Sequence, residues 1–265
     1  MPAIRLNYKR VPADEKKYGK GFSLNSLSSK EFRSFNHGVL GLGDVSAQGQ
    51  YVQSLAVFLD LQGFTDFCNQ VDSHLVIPEF MRRYLEWLFG EVSDRFKEGE
   101  EDDTVRIWGS LPFFAKFLGD GVFFLWDTEY SGGSSGICNI VAKLYELTRE
   151  YNAEFVPSIQ KHVSKPPTIL RCGISRGQII SIGQGKDYVG SCINVASRLQ
   201  KLSQLTFAVS RRGFDLSQNP THFITKLLTL KKAQIRGIGE DELIWVLSSE
   251  FDSLPEGEKT LFEEP

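Results

Sequence analysis

Residues 113–126 read FFAKFLGDGVFFLW. Two aromatic-rich runs, Phe113–Leu118 and Val122–Trp126, flank Gly119-Asp120-Gly121, and both glycines tolerate the positive φ that a tight hairpin turn demands. The stretch predicts two antiparallel strands with an aspartate at their shared tip. Upstream, QSLAVFLD (Gln53–Asp60) is a short apolar run that predicts a buried strand ending in a second aspartate. Between them, Pro78–Phe96 repeats apolar residues at helical spacing (Phe80, Met81, Tyr84, Leu85, Leu88, Val92, Phe96), and the acidic EGEEDD at 98–103 reads as a solvated loop. Downstream, Ile137–Phe155 predicts a second amphipathic helix. Thr168–Ile174 and Gln178–Ile182 predict another hairpin around Ser175-Arg176-Gly177, and Asn194–Leu205 a shorter helix. Strands are expected near Phe207–Ser210, His222–Leu228 and Leu243–Leu247. This mixture predicts a single α+β domain, with helices covering an antiparallel-rich sheet.

The composition bounds the class. At 265 residues, 41% hydrophobic and 24% charged, the chain can bury a core without disulfide or metal staples. The net charge of -3, from 30 basic and 33 acidic residues, argues against a non-specific nucleic-acid binder. No stretch approaches the roughly 20 apolar residues of a membrane-spanning helix. The opening MPAIRLNYKRVPADEKKYGK is polar and unlike a signal peptide. The cysteines (Cys68, Cys138, Cys172, Cys192) form no CxxC pair, so free thiols in a reducing cytosol are expected. The scattered His37, His74, His162 and His222 make a zinc centre unexpected. Residues 1–48 read as a polar, basic arm and residues 49–248 as the folded domain. Residues 249–265 read as a loose tail, with six acids against Lys259.

Asp60 at a strand end and Asp120 at a hairpin tip can converge if their strands are neighbours. Two hard carboxylates favour Mg²⁺ or Mn²⁺ shared with substrate phosphates; alone, each is an ordinary turn-former. The surrounding spacing adds to this reading. FLDLQGFTDF (58–67), KFLGDGVFFLW (116–126), LRCGISRGQIISIGQG (170–185) and YVGSCINVASRLQ (188–200) follow one another in order. Together they resemble the class III nucleotidyl cyclase catalytic domain, the adenylate and guanylate cyclase family, over about Gln53–Leu247.

The resemblance implies a ferredoxin-like βαββαβ-type sandwich. It implies that Asp60 and Asp120 hold two divalent ions, Mn²⁺ or Mg²⁺, with the Leu61 carbonyl assisting. The turn containing Gly63, Phe64 and Thr65 would cradle the β- and γ-phosphates. Asn194 would orient the ribose, and Arg198 would stabilise charge growing on the α-phosphate. Arg236 stands where the family has a phosphate-gripping lysine, and keeps the charge as a fork instead of a point. In the family, the metal aspartates and the Asn/Arg helix meet across a dimer interface, so a homodimer with composite sites is implied. Asp60, Asp120, Asn194 and Arg198 are all present, which speaks against a silent nucleotide-binding module.

Base choice is less determined. Lys116 and Asp187 stand at the positions that read adenine in the family's adenylate cyclases, yet a donor beside an acceptor suits every base. The aromatic crowd around Asp120 could narrow a pocket to one ring, or simply pack a core. In outline the chain resembles the stand-alone bacterial pyrimidine (uridylate/cytidylate) cyclases of the Pycsar antiphage system, which signal to a separate effector protein. UTP is the expected substrate and ATP the alternative.

Overall fold

The structure is a computed structural model that describes residues 8–265 apart from Phe22, Phe35, Asp72 and Ser203; the first seven residues of the polar arm lie outside the described residues. The chain opens with β1 (Lys9–Pro12), α1 (Glu15–Tyr18), β2 (Ser23–Ser26) and α2 (Ser29–Ser34). There follow β3 (Tyr51–Gln62), α3 (Phe64–Cys68), α4 (Ser73–Phe96), β4 (Lys97–Glu101), β5 (Thr104–Ile107), β6 (Phe114–Phe117) and β7 (Gly121–Asp127). The central part holds α5 (Gly133–Glu150), a π-helical turn at Tyr151–Phe155, α6 (Val156–Ile159), β8 (Ile169–Ile182), β9 (Asp187–Val189) and α7 (Ser191–Leu199). The chain closes with β10 (Phe207–Ser210), α8 (Phe223–Leu227), β11 (Leu228–Ile235), β12 (Gly239–Leu247), α9 (Ser248–Ser253), α10 (Glu256–Lys259) and β13 (Phe262–Glu263). Two compact units form: Val52–Ile179 with Gly190–Pro265, and the described residues up to Tyr51 with Ile180–Val189.

In the larger unit the sheet order is β13-β11-β12-β10-β8-β3-β7-β6. The succession β3-α4-β6-β7-α5-β8, with spatial order β8-β3-β7-β6, is the expected ferredoxin-like βαββαβ arrangement. β3 pairs antiparallel with β7, and β7 with β6. Beyond β8 the sheet is extended by β10, which runs parallel to β8, and by the antiparallel β12, β11 and β13.

Strand alternation divides the side chains between two faces. Leu55, Val57, Leu59 and Leu61 of β3 join Val122, Phe124 and Trp126 of β7 under α4 and α5, in a core that also takes Phe80, Tyr84, Leu88, Ile140 and Leu144. On the opposite face Val195 and Leu199 of α7 pack with Ala208, Ala233, Ile235, Ile244 and Val246. Each buried Leu, Ile or Phe removes its side chain from water for about 2 kcal/mol, so α7 is anchored by its apolar stripe.

Several expectations are corrected. Ser175-Arg176-Gly177 is no turn, because β8 runs unbroken through it. Gly177 serves the neighbouring helix instead: a side-chain carbon there would stand 3.1 Å from Cys192 Cβ. The chain reverses later, at Gly183, Gln184 and Gly185, all with positive φ. The acidic 98–103 stretch is a hairpin rather than a loop. Arg106 on β5 bridges Glu98 (2.7 Å) and Glu101 (3.1 Å) on β4, while Asp102 and Asp103 turn with φ 46° and 59°. His222–Leu228 is helical up to Leu227, with the His222 ring accepting from the Ile224 amide (3.3 Å). The strand there is β11, whose alternation is masked by Lys231 and Lys232.

The tail is not loose. β13 pairs with β11, Phe262 is 7% exposed and meets Phe251 edge-on at 5.6 Å, and its acids answer the β11 lysines. Lys232 reaches Asp241 (2.7 Å) and Glu263 (3.0 Å), and Lys231 reaches Glu264. The tail strand thus covers what would be a bare sheet edge. Phe262→Ala is expected to cost about 3 kcal/mol, read as a lower denaturant midpoint; an unchanged midpoint would mean that the tail adds nothing to the core.

Candidate active site

The hairpin between β6 and β7 closes through the Leu118 amide, which donates to the Gly121 carbonyl at 2.9 Å, leaving Gly119 and Asp120 as the two-residue loop. Gly119 takes φ 97°, as a leading loop glycine of a primed turn does. Gly121 is required for a different reason: a side-chain carbon there would overlap the Leu59 carbonyl oxygen. That close approach puts Asp60 opposite Gly121 in the β3–β7 register, and the Leu61 amide donates to the Asp120 carbonyl at 3.1 Å. The expected convergence of Asp60 and Asp120 is therefore built by backbone pairing.

Asp60 lies on the face away from α4 and α5. It shares that face with Phe58 and Phe123, whose rings stack at 4.6 Å. It is 7% exposed, and its carboxyl is raised above the usual 3.8, first by burial and then by the charge of Asp120; Lys201 and Arg171 pull it back down. Two acids forced together in a half-dry setting form a site short of positive charge. A divalent ion would correct that deficit, and two carboxylates are the kind of hard oxygen donors that Mg²⁺ or Mn²⁺ takes. Among the described residues no group of three or more His, Cys, Asp and Glu side chains is gathered as a metal cluster. An ion held by these two carboxylates would need further ligands from outside the chain, as Mg²⁺ commonly takes from water and phosphate oxygens.

Immediately beyond β3, Gly63 (φ 83°) lets the chain fold back into α3, and the Phe67 amide closes on the Gly63 carbonyl at 3.0 Å. The Phe64 ring is half-buried and packs against Phe67 (5.8 Å) and Phe80 (6.3 Å). Thr65 is exposed at the same turn.

Asn194 and Arg198 are four residues apart on α7 and both exposed, beside the buried stripe of Cys192, Val195 and Leu199. The helix can lie low because Gly173 has no side chain; a carbon there would overlap the Ala196 carbonyl. α7 thus occupies the same face of the sheet as Asp60. Lys116 stands on edge strand β6 opposite Phe123, again on that face. Arg236 is elsewhere: it follows β11, which is four strands from β3, about 19 Å at the usual strand spacing. Within one protomer the structure does not bring it to Asp60. Asp187 belongs to the smaller unit, at the first position of β9, where its Oδ1 accepts from the Tyr188 amide at 2.9 Å.

Two cations escaped the sequence reading. Arg171 on β8 donates to Gln62 Oε1 at 3.0 Å, and Lys201 follows α7, its amide donating to the Arg198 carbonyl at 3.0 Å. Both act electrostatically on Asp60. Arg171 carried a legible signal, since strand alternation places it with Gly173 rather than with the core residues Cys172 and Ile174. Lys201 carried none. All four cysteines are free; burial pushes Cys192 up to about 11, so this thiol is no nucleophile. Among the described residues no helix is long and apolar enough to cross a membrane.

No protein-family model and no curated protein sequence matches the chain. Solved structures do. The adenylyl cyclase CyaB from P. aeruginosa superposes with a TM-score of 0.54 at 15% identity, over 76% of this chain and 96% of that one. The guanylyl cyclase Cya2 gives 0.53 at 16% identity, over 76% and 94%. A bacterial light-regulated adenylyl cyclase gives 0.50 at 14% identity, over 83% of this chain and 60% of its own. At such identities the likeness speaks for architecture: the chain has the fold of the class III nucleotide cyclase catalytic domain.

Proposed function

We propose that the protein is a nucleotide cyclase that converts a nucleoside triphosphate, UTP by preference, to its 3′,5′-cyclic monophosphate and pyrophosphate. The observation that carries the reading is the Asp60–Asp120 pair, locked at adjacent strand ends with an excess of negative charge. In the reaction the ribose 3′-oxygen attacks the α-phosphorus, the bond from that phosphorus to the bridging oxygen breaks, pyrophosphate departs and the hydroxyl proton passes to water. Asp60, Asp120 and the Leu61 carbonyl would hold Mg²⁺ or Mn²⁺, which when bound would supply Lewis acidity to the hydroxyl and the leaving phosphates. The chain's own part is positioning and charge. The Gly63–Thr65 turn offers amides and a hydroxyl to the distal phosphates, and Arg171 and Lys201 add cations on the Asp60 face. Asn194 orients the ribose and Arg198 stabilises the α-phosphate, both supplied by the second protomer of a homodimer, as is Arg236. Lys116 and Asp187 read the base. The resemblance to Pycsar cyclases supports cyclic UMP as a cytoplasmic second messenger in antiphage defence, read by a separate effector.

Adenylate cyclase activity is the second reading, favoured by Lys116 and Asp187 at adenine-reading positions. Incubation of the purified protein with ATP, GTP, CTP and UTP in turn, each with Mn²⁺, separates the two. The expected outcome is cyclic UMP as main product, with kcat/KM about tenfold above that for ATP, roughly what one pocket contact can discriminate. Cyclic AMP as the dominant product would reverse the order. No cyclic product from any nucleotide, with the dimer intact, would leave a binding module.

A further inference from the structure

Asp187 is offered by a short hairpin whose other side is the arm. β9 pairs with the end of β8 through Ile180↔Val189, Ser181↔Tyr188 and Ile182↔Asp187. The connecting turn runs through Gly183 (φ 58°), Gln184 (φ 59°) and Gly185 (φ 85°), tied by the Lys186 amide donating to the Ile182 carbonyl at 3.1 Å. A two-stranded hairpin of this size is marginal by itself. Residues 42–50 supply the missing support. The Ser181 amide donates to the Gln50 carbonyl at 3.0 Å, and the Gln50 amide donates to Ser181 Oγ at 2.9 Å, so Ser181, 8% exposed, is held from both edges.

Two glycines fit the segment against the hairpin. A side-chain carbon on Gly49 would stand 2.5 Å from Ile180 Cγ2 and 2.7 Å from the Ser181 carbonyl oxygen, so the segment or the hairpin would have to move to admit one. A carbon on Gly183 would overlap the Leu42 carbonyl oxygen. Between these contacts the segment is stiffened locally: Asp44 Oδ1 accepts from the Ser46 amide (2.9 Å) and hydroxyl (2.6 Å), which also lowers the Asp44 carboxyl below its usual value. An arm with no other task does not need backbone this close to a hairpin tip.

We propose that residues 42–50 are a positioning element for Asp187, with Gly49 and Ser181 as the positioning residues, and that this segment thereby sets base selectivity. The inference rests on the cyclase reading. It assigns the arm a role in discrimination rather than in turnover, because the atoms it fixes belong to the hairpin of the base-reading residue. Displacing the segment is expected to spare the Asp60–Asp120 pair, whose register is set within β3 and β7.

The test uses the full-length chain with Gly49→Val, Ser181→Ala and Ser181→Thr, alone and with Asp187→Ala. Hydrogen exchange reads the positioning directly and needs no turnover. Amides of 182–188 are expected to lose at least about tenfold of their protection in Gly49→Val, with Ser181→Thr near wild type; unchanged protection would overturn the proposal. In turnover assays, Gly49→Val and Ser181→Ala are expected to raise KM for the preferred nucleotide several-fold, with kcat within about twofold. The ratio of kcat/KM between the preferred and the next base should fall toward one. On the Asp187→Ala background Gly49→Val should change selectivity no further. A selectivity ratio unmoved in both variants, or losses that simply add to that of Asp187→Ala, would sink the inference. A wild-type protein that cyclises nothing would instead sink the cyclase reading, with the exchange result still deciding whether the arm holds the hairpin.

Discussion

Asp60→Asn is expected to lower the rate of cyclisation on the order of a thousandfold, about 4 kcal/mol of transition-state stabilisation, while making the metal-free protein more stable at neutral pH. The two effects share one cause. Asp60 is buried beside Asp120, and its carboxyl is raised above 3.8. A raised carboxyl binds its proton more tightly in the folded state than in the unfolded one. Its ionisation therefore opposes folding: the stability contribution is fully present below the ordinary value and is lost as pH rises through the folded value. Asparagine keeps the shape and removes the charge, so the penalty at pH 7 disappears along with the metal ligand. Thermal unfolding with and without Mn²⁺ at pH 7, together with initial rates, tests both halves. Wild type should gain melting temperature with Mn²⁺; the variant should start higher and gain little. A variant that keeps near-normal rates, or that responds to Mn²⁺ as wild type does, would remove Asp60 from the metal site.

Mixing Asp60→Ala with Arg198→Ala, each expected to be inactive alone, should restore activity to about a quarter of the wild-type rate. Random exchange makes half of the dimers mixed. In a mixed dimer both lesions fall in one site, which leaves the other with an intact Asp60 from one subunit and an intact Arg198 from the other. The placement of Arg198 motivates this: it is exposed on α7, on the same face of the sheet as Asp60. Absence of recovery, with mixed dimers verified by mass spectrometry, would mean that each protomer completes its own site.

The parts of the fold that were legible were those in which one residue carries one signal. The Gly119-Asp120-Gly121 hairpin and the apolar run of β3 answer to local rules, and their pairing follows once they are strands. Gly177 misled because a glycine in a strand has two causes, a turn or a close neighbour, and only packing against Cys192 distinguishes them. β11 was hidden because Lys231 is buried against the distant Glu264, a pairing that no local pattern announces. The tail looked loose for the same reason: Glu263 and Glu264 are matched by Lys232 and Lys231, far earlier in the chain, and charge counting along a segment cannot see across it. In the site, Asp60 and Asp120 were readable from position. Alternation marked Arg171 as facing away from the core but not as a neighbour of Asp60, and Lys201 carried no signal at all, because a lone cation gains meaning from what its strand or helix lies beside.

Gly173 and Gly177 define the trough in which α7 rests. The height of that helix above the sheet is set by atoms that are missing, so any bulkier residue at Gly173 would work like a shim beneath a lever. Asn194 and Arg198 ride on the same lever and would rise together. The output of the proposed cyclase could thus be tuned, a methyl group at a time, from the strand beneath the helix.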